Sequence, residues 1–399
     1  MKNKIRAAAL AALVAAAFIC ALIVSACDGG KDVTLTVWCA EKEQSMISAM
    51  AEEFMAANPG VKAIEVVVCE DSEARERFEG APGEAADVFC IPHDQLGALV
   101  AQNALLEITD ERHLTAIGAN SAPSVSAGRI EGRQYGFPSS FETHMLFYDK
   151  SIVSDAAARS LDGILSGDPP ENGFHFAMNL GNAYFSANWF FTFGCRLFGE
   201  SGEDAGFCDF DSAGGIAAMT YLIEHKDRIG NLTTDEAIDL FRQHRLGAYI
   251  DGPWSAAGIT EALGGNYGCS HLPVVSGMDM KSFAGFKLYC VNANASDKAA
   301  ALDLAAWLTN PASQKTRFQE RYLIPVATQL VDDPDVAAST SAKALMSQGP
   351  HAIAMPSIPG MSNFWTPTGD FTLACFNGEI AIAELPEKLG ALVAAIKGN

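Results

Sequence analysis

The sequence predicts an α/β protein arranged as two lobes, with the chain crossing between them more than once. Three observations carry this prediction. The chain has 399 residues, 49% hydrophobic and 19% charged, a globular composition with length for two domains or one large one. Strand-like and helix-like segments alternate from residue 33 to residue 102, the pattern of βαβ units on a parallel sheet. After an extended stretch around Tyr135–Tyr148, the same alternation resumes at residue 174 and returns to a strand at 286.

Taken in order, Met1–Arg6 carries Lys2, Lys4 and Arg6, and an uncharged apolar run follows as far as Val24. A run of this length can span a bilayer. Its terminal position, basic start and small-residue end fit a secretory signal, with an uncleaved anchor as the other reading. Both put the globular part outside the cytoplasm. Val24-Ser25-Ala26-Cys27 resembles a bacterial lipobox. The resemblance implies cleavage after residue 26 and a diacylglyceryl group on Cys27, holding the protein to the cell surface or periplasmic face by lipid alone.

VTLTVW (33–38) alternates as a strand does, and Gln44–Ala57 sets Met46, Ile47, Met50, Ala51 and Phe54 at helical spacing before Asn58-Pro59-Gly60 stops it. AIEVVVC (63–69) and ADVFCI (86–91) read as strands, and HDQLGALVAQ as a helix. QYGFP and HMLFYD are extended. Phe174–Leu180 is a strand, Ala183–Phe193 an aromatic helix, Ile216–His225 and Thr234–His244 helices, and LGAYIDG (246–252) a strand running into Pro253-Trp254. FKLYCVN (286–292) is a strand, followed by helices at Lys298–Leu308 and Ala312–Tyr322. Residues 332–399 read as mainly helical, broken by MPSIPG at 355–360. Trp38, Trp189 and Trp307 lie in apolar periodic segments and read as core.

Without its first 26 residues the chain keeps 24 Lys and Arg against 48 Asp and Glu, a net charge of −24. That field repels phosphate backbones and anionic lipids, which excludes nucleic-acid binding and suits a soluble monomer. Ten cysteines include Cys20 and Cys27 of the export segment; the other eight lie mostly in apolar runs such as VVVCE, DVFCIP and KLYCVN. There a cysteine serves as a small buried hydrophobe, so free thiols are expected, with Cys195–Cys208 the local pair if a bridge forms. No CxxC or zinc-like Cys/His spacing occurs, and no metal or cofactor is expected. GxSxG, HExxH and phosphate-loop motifs are absent, and adjacent acids such as Glu52-Glu53 and Asp332-Asp333 read as solvated faces. An enzyme is not expected. A surface glycan hydrolase with carboxylates from distant segments is the competing class.

Polar-plus-aromatic junctions stand at strand ends: IPHDQLG, FPSSFE, NLGNAYF, DGPW and SNFW. In two-lobed α/β proteins ligands bind there, in the crevice between lobes. Rings stack on the apolar face of a sugar, while carboxylates, amides and a lysine take its hydroxyls. In order and spacing these junctions resemble the solute-binding proteins of sugar ABC importers, most closely the maltose/maltodextrin-binding proteins. The resemblance runs through DVFCIPHDQLGALVAQNALLEIT (87–109), YGFPSSFETHMLFYDKSIV (135–153), FAMNLGNAYF (176–185), DEAIDLFRQHRLGAYIDGPW (235–254) and MPSIPGMSNFW (355–365).

What the resemblance implies is a type II periplasmic-binding-protein fold, its α/β lobes joined by three hinge crossings and closing on a ligand that passes to a membrane permease. The lobes would be 27–141 with 286–326, and 142–285 with 327–399, after a signal at 1–26. Position by position, Trp254 and Trp365 match stacking tryptophans and Tyr184 a stacking tyrosine. Asp94 and Glu142 match acidic hydroxyl acceptors. Glu41-Lys42 align with an Asp-Lys pair if one gap is allowed, and Glu76 with a further acid. The chain departs from the pattern at Ile91 (for a third tryptophan), Gln95 (for arginine), Asn182-Ala183 (for Glu-Pro) and Gly369 (for arginine). A carbohydrate ligand follows, a malto-oligosaccharide first, with another oligosaccharide or small solute as the alternative.

Overall fold

A computed structural model of the chain describes residues 32–200 and 202–398. The expected signal and Cys27 lie outside the described residues. Among the described residues the main strands are β1 (Val33–Cys39), β2 (Val61–Val68), β3 (Val88–Pro92), β4 (Gly136–Glu142), β5 (Met145–Asp149), β6 (Phe174–Met178), β7 (Ile229–Asn231), β8 (Leu246–Asp251), β9 (Tyr267–Ser270), β10 (Ser282–Val291), β11 (Ile324–Pro325) and β12 (Ala352–Ala354). The helices that bear on the site are α1 (Gln44–Ala57), α2 (Ala74–Gly80), α3 (Leu96–Ala101), α4 (Ala183–Thr192), α5 (Thr234–Arg242) and α6 (Trp365–Asn377).

Two sheets form the two lobes. The first has the order β11-β4-β10-β3-β1-β2, with β12 beside the opening of β10; the second has the order β9-β5-β8-β6-β7. β1 is parallel to both β2 and β3, and parallel neighbours need a crossover, here α1 and α2. The continuous apolar run of β3 suits a strand covered on both faces, and all but its last residue are buried. β5 and β8, the centre of the second sheet, are buried throughout. One core gathers Leu35, Val37, Phe54 and Val88 in the first lobe; another gathers Phe176, Trp189, Phe190 and Phe210 in the second.

The chain crosses between the lobes three times. β4 ends at Glu142 in the first sheet, and β5 begins at Met145 in the second. β10 starts beside β12 and then pairs with β4 and β3, so the strand expected at 286–292 runs longer, Ser282–Val291, because it serves both lobes. After β11 the chain returns, and helix Thr340–Gln348 packs on β5 and β9. Buried polar groups pin the crossings: Thr143 Oγ1 donates to the Phe283 carbonyl at 2.7 Å, and Gln348 Nε2 donates to the Met280 carbonyl at 3.0 Å. All eight described cysteines are free thiols. Trp38 and Trp189 are core, whereas Trp307 is half-buried and donates from Nε1 to the Met50 carbonyl at 3.1 Å. Among the described residues no helix is long and apolar enough to cross a membrane.

Candidate functional site

The carboxyl ends of β3 and β8, the start of α4 and the start of α6 converge on a cleft between the lobes. One chamber, of about 510 Å³, is lined by Asp94, Gln95, Asn182, Tyr184, Trp254 and Trp365 among others. A second, of about 300 Å³, is lined by Glu41, Lys42, Glu43 and Asp71. Glu70, Ser72, Glu142, Trp254 and Lys287 border both, so the chambers form one cleft.

Three rings come from separate elements of the second lobe. Trp254 leaves β8 through Gly252-Pro253, and its ring lies across Gly252: a Cβ at that glycine would stand 2.1 Å from Cη2. Only a residue without a side chain allows this approach. Asp251, fully buried, fixes the turn by accepting from Thr234 Oγ1 at 2.7 Å and from the Gly252 N–H at 2.7 Å. Burial pushes its carboxyl up to about 6, against hydrogen bonds from Thr234, Gly252, Trp254 and Ser255. Tyr184 stands in the first turn of α4, whose N-cap Asn182 accepts the Tyr184 N–H at 3.0 Å. Its ring meets His144 edge-on at 4.5 Å and lies 6.1 Å from that of Trp254. Trp365 opens α6, its ring 5.0 Å from Phe364 and 6.1 Å from Phe283.

Charge sits opposite the rings. Lys287 Nζ lies 2.9 Å from Asp71 Oδ2 and 3.9 Å from Glu142 Oε1. Burial opposes the ammonium form, but Asp71 and Glu142 more than offset it and raise the lysine above its ordinary value. Burial also pushes Glu142 up to about 7, with Lys287 pulling down and Asp71 and Glu43 pushing up. Asp94 rises to about 6 for the same first reason. Gln95 Nε2 donates to the Ser72 carbonyl at 2.8 Å. Glu142 Oε1, Gln95 Oε1 and the Tyr184 hydroxyl are buried with no hydrogen-bond partner in the protein. Buried polar atoms are nearly always satisfied. Two acceptors and one hydroxyl without hydrogen bonds, on residues that line the same cleft, suit a ligand rich in hydroxyl groups.

His93 ties the walls together. Its Nε2 faces the Met355 carbonyl at 3.0 Å, and its Nδ1 accepts the Phe286 N–H at 3.2 Å, which sets the proton on Nε2. Burial holds the ring neutral, lowered to about 4. Close by, Gly97 of α3 packs on the 355–360 segment, where an added Cβ would lie 2.0 Å from the Ser357 carbonyl oxygen.

Nine of the expected ligand residues line this cleft: Trp254, Trp365, Tyr184, Asp94, Glu142, Glu41, Lys42, Asn182 and Gln95. Two do not. Ile91 is fully buried in a core with Trp38 and Phe89, because successive strand residues face opposite ways and Pro92 takes the cleft side. Glu76 is exposed on α2, whose buried face is Ala74 and Phe78, and its neighbour Arg75 lines the cleft instead. Sequence reasoning missed Asp71 and Lys287. The available sign was a lysine inside the apolar hinge strand FKLYCVN, since a charge there needs a buried partner. Gly369 is closed off: a Cβ there would lie 2.2 Å from the Gly181 carbonyl oxygen, so α6 rests directly on the loop before α4.

Residues 49–344 match the family described as bacterial extracellular solute-binding protein. Among curated relatives, the maltodextrin-binding protein MdxE of Bacillus subtilis is 28% identical over 382 residues, covering 89% of each chain. A galactooligosaccharide-binding protein of the same organism is 27% identical over 369 residues, covering 86% of this chain and 84% of its own. Among solved structures, the maltodextrin-binding protein MalE1 from L. casei BL23, without ligand, superposes with a TM-score of 0.79 at 24% identity, over 92% of this chain and 99% of its own. The Thermus thermophilus maltotriose-binding protein bound with maltotriose gives 0.80 at 22% identity, over 91% and 99%. At these identities the structural likeness establishes the two-lobed fold.

Proposed function

The chain belongs to the bacterial extracellular solute-binding proteins, and from that premise we propose that it captures a carbohydrate between its lobes and delivers it to the permease of an ABC importer. The ligand is a malto-oligosaccharide. The observation that carries this reading is the pairing, in one cleft, of three aromatic rings with buried polar atoms that lack hydrogen-bond partners in the protein. The rings supply apolar contact to the sugar faces, and Asp94, Glu142, Gln95 and Lys42 orient its hydroxyls. Sugar that touches both lobes binds the closed form more tightly and shifts the population towards it. The protein performs no reaction. We assign the lobes as 27–141 with 286–326 and 142–285 with 327–399, and read the mature protein as a monomer held to the membrane by a lipid on Cys27.

A second reading, a differently linked oligosaccharide such as a galactooligosaccharide, is favoured by two departures in the cleft walls. Ile91 is turned into the core and Gly369 is sealed by the Gly181 carbonyl, which removes two contacts of the maltodextrin pattern. Titrating residues 28–399 with maltose, maltotriose, a longer maltodextrin, a galactooligosaccharide and unrelated disaccharides, followed by tryptophan fluorescence, separates the readings. A saturable shift with α-glucans supports the first. A shift with the galactooligosaccharide alone moves the assignment to the second, and silence across the panel overturns both.

A further inference from the structure

Lys287 and Glu142 stand where the two chambers meet, and their separation is informative. At 3.9 Å, Nζ and Oε1 are too far apart for a direct hydrogen bond. By distance, an oxygen bridging them would lie about 2.8 Å from each, reached as the lobes move around a ligand. The lysine spends one N–H on Asp71 at 2.9 Å, and Glu142 Oε1 has no hydrogen-bond partner in the protein. The backbone opposite the lysine is irregular. Along β10, Lys287 pairs with Ser140 but Leu288 pairs with Pro138, so Ser139 is an extra residue in β4, and its hydroxyl donates to the Lys287 carbonyl at 3.2 Å. A bulge of this kind bends its own strand, here β4, which ends at Glu142.

Resting on the reading of the cleft as a carbohydrate site, we propose that one hydroxyl of the bound sugar bridges this pair, accepting from the Lys287 ammonium and donating to the Glu142 carboxylate. Asp71 holds the ammonium in place. All three side chains are largely withdrawn from water, at 16%, 10% and 8% exposure for Lys287, Asp71 and Glu142. Hydrogen bonds to buried charges are the strong ones, and a ligand without the hydroxyl leaves Glu142 Oε1 with no hydrogen-bond partner. A hydroxyl both accepts and donates. A carboxylate or phosphate in its place meets Glu142 and Asp71, and an ammonium meets Lys287. The bridge therefore selects neutral polyols, and within a sugar it reads one hydroxyl in particular.

The test is a cycle between protein and ligand, read by calorimetry on residues 28–399. Maltotriose, or galactotriose if that is what the wild type binds, is compared with its monodeoxy derivatives, in wild type and in Lys287→Met. One derivative loses roughly 10- to 100-fold in wild type. The parent sugar loses similarly in Lys287→Met, and that derivative then loses little more. If Lys287→Met fails to fold, as judged by near-ultraviolet circular dichroism, Glu142→Gln takes its place in the same cycle. Deoxy penalties identical in wild type and variant overturn the bridge and leave the carbohydrate reading standing. Silence of the wild type across the whole sugar panel removes that reading, and the bridge with it.

Discussion

Substituting Gly252 by alanine tests whether the Trp254 ring works by its position. The alanine Cβ would meet Cη2, Cζ3 and Cζ2 at 2.1, 2.2 and 2.4 Å, where ordinary contact begins at 3.4 Å. The ring must therefore swing away by more than about 1 Å. Trp254 is otherwise untouched, and Asp251 still anchors the turn through Thr234. A ring displaced by that much loses most of a stacking contact, worth about 0.5–1.5 kcal/mol beyond the area it covers. The expected loss of sugar affinity is about 2- to 13-fold. Calorimetry with the sugar that the wild type binds measures it, and circular dichroism confirms the fold. An affinity within twofold of wild type, in a folded variant, refutes the claim that the ring is held for stacking.

Three further outcomes are expected. Glu142 ionises only near pH 7, whereas an unfolded glutamate ionises near 4.5, so unfolding releases a proton between those values and the group's contribution to stability falls as pH rises through that window. The melting temperature of Glu142→Gln should accordingly gain on wild type from pH 4.5 to 7.5, and a constant difference counts against the burial of an ionisable carboxyl. Gly97→Val drives a side chain into the Ser357 carbonyl, so small-angle scattering with saturating sugar should show a larger radius of gyration than for liganded wild type; equal radii would mean that the lobes do not meet there. Residues 28–399 should titrate eight thiols with Ellman's reagent in guanidinium and far fewer when native; six would reveal a disulfide.

Local patterns made much of the fold legible. α1 spans the residues that its apolar spacing and the Asn58-Pro59-Gly60 stop mark out, because one buried face and one breaker define a helix without tertiary help. The strand-end junctions located most of the cleft for a similar reason: the loops after β3 and β8 carry their own turn chemistry. Facing was not legible. Ile91 and Pro92 are neighbours in the chain, and only the pairing of β3 with β1 and β10 decides which of them meets the cleft. The same holds for Arg75 and Glu76, where one step around α2 exchanges cleft for solvent. Lys287 and Asp71 are 216 residues apart, so the ion pair exists only once β10 has crossed into the first sheet. The hinge strand itself was read short because its opening residues answer to the other lobe.

The contact at Gly369 limits which residues the position accepts. Helix α6 has settled onto the loop before α4 until the Gly181 carbonyl fills the space that any side chain would need. An arginine placed at that position would first have to pry two packed segments apart. Any single substitution there is expected to destabilise the fold, since overpacking a close contact is itself destabilising. At this corner the backbone itself forms the wall, so any tuning of what the cleft accepts falls to side chains elsewhere along it.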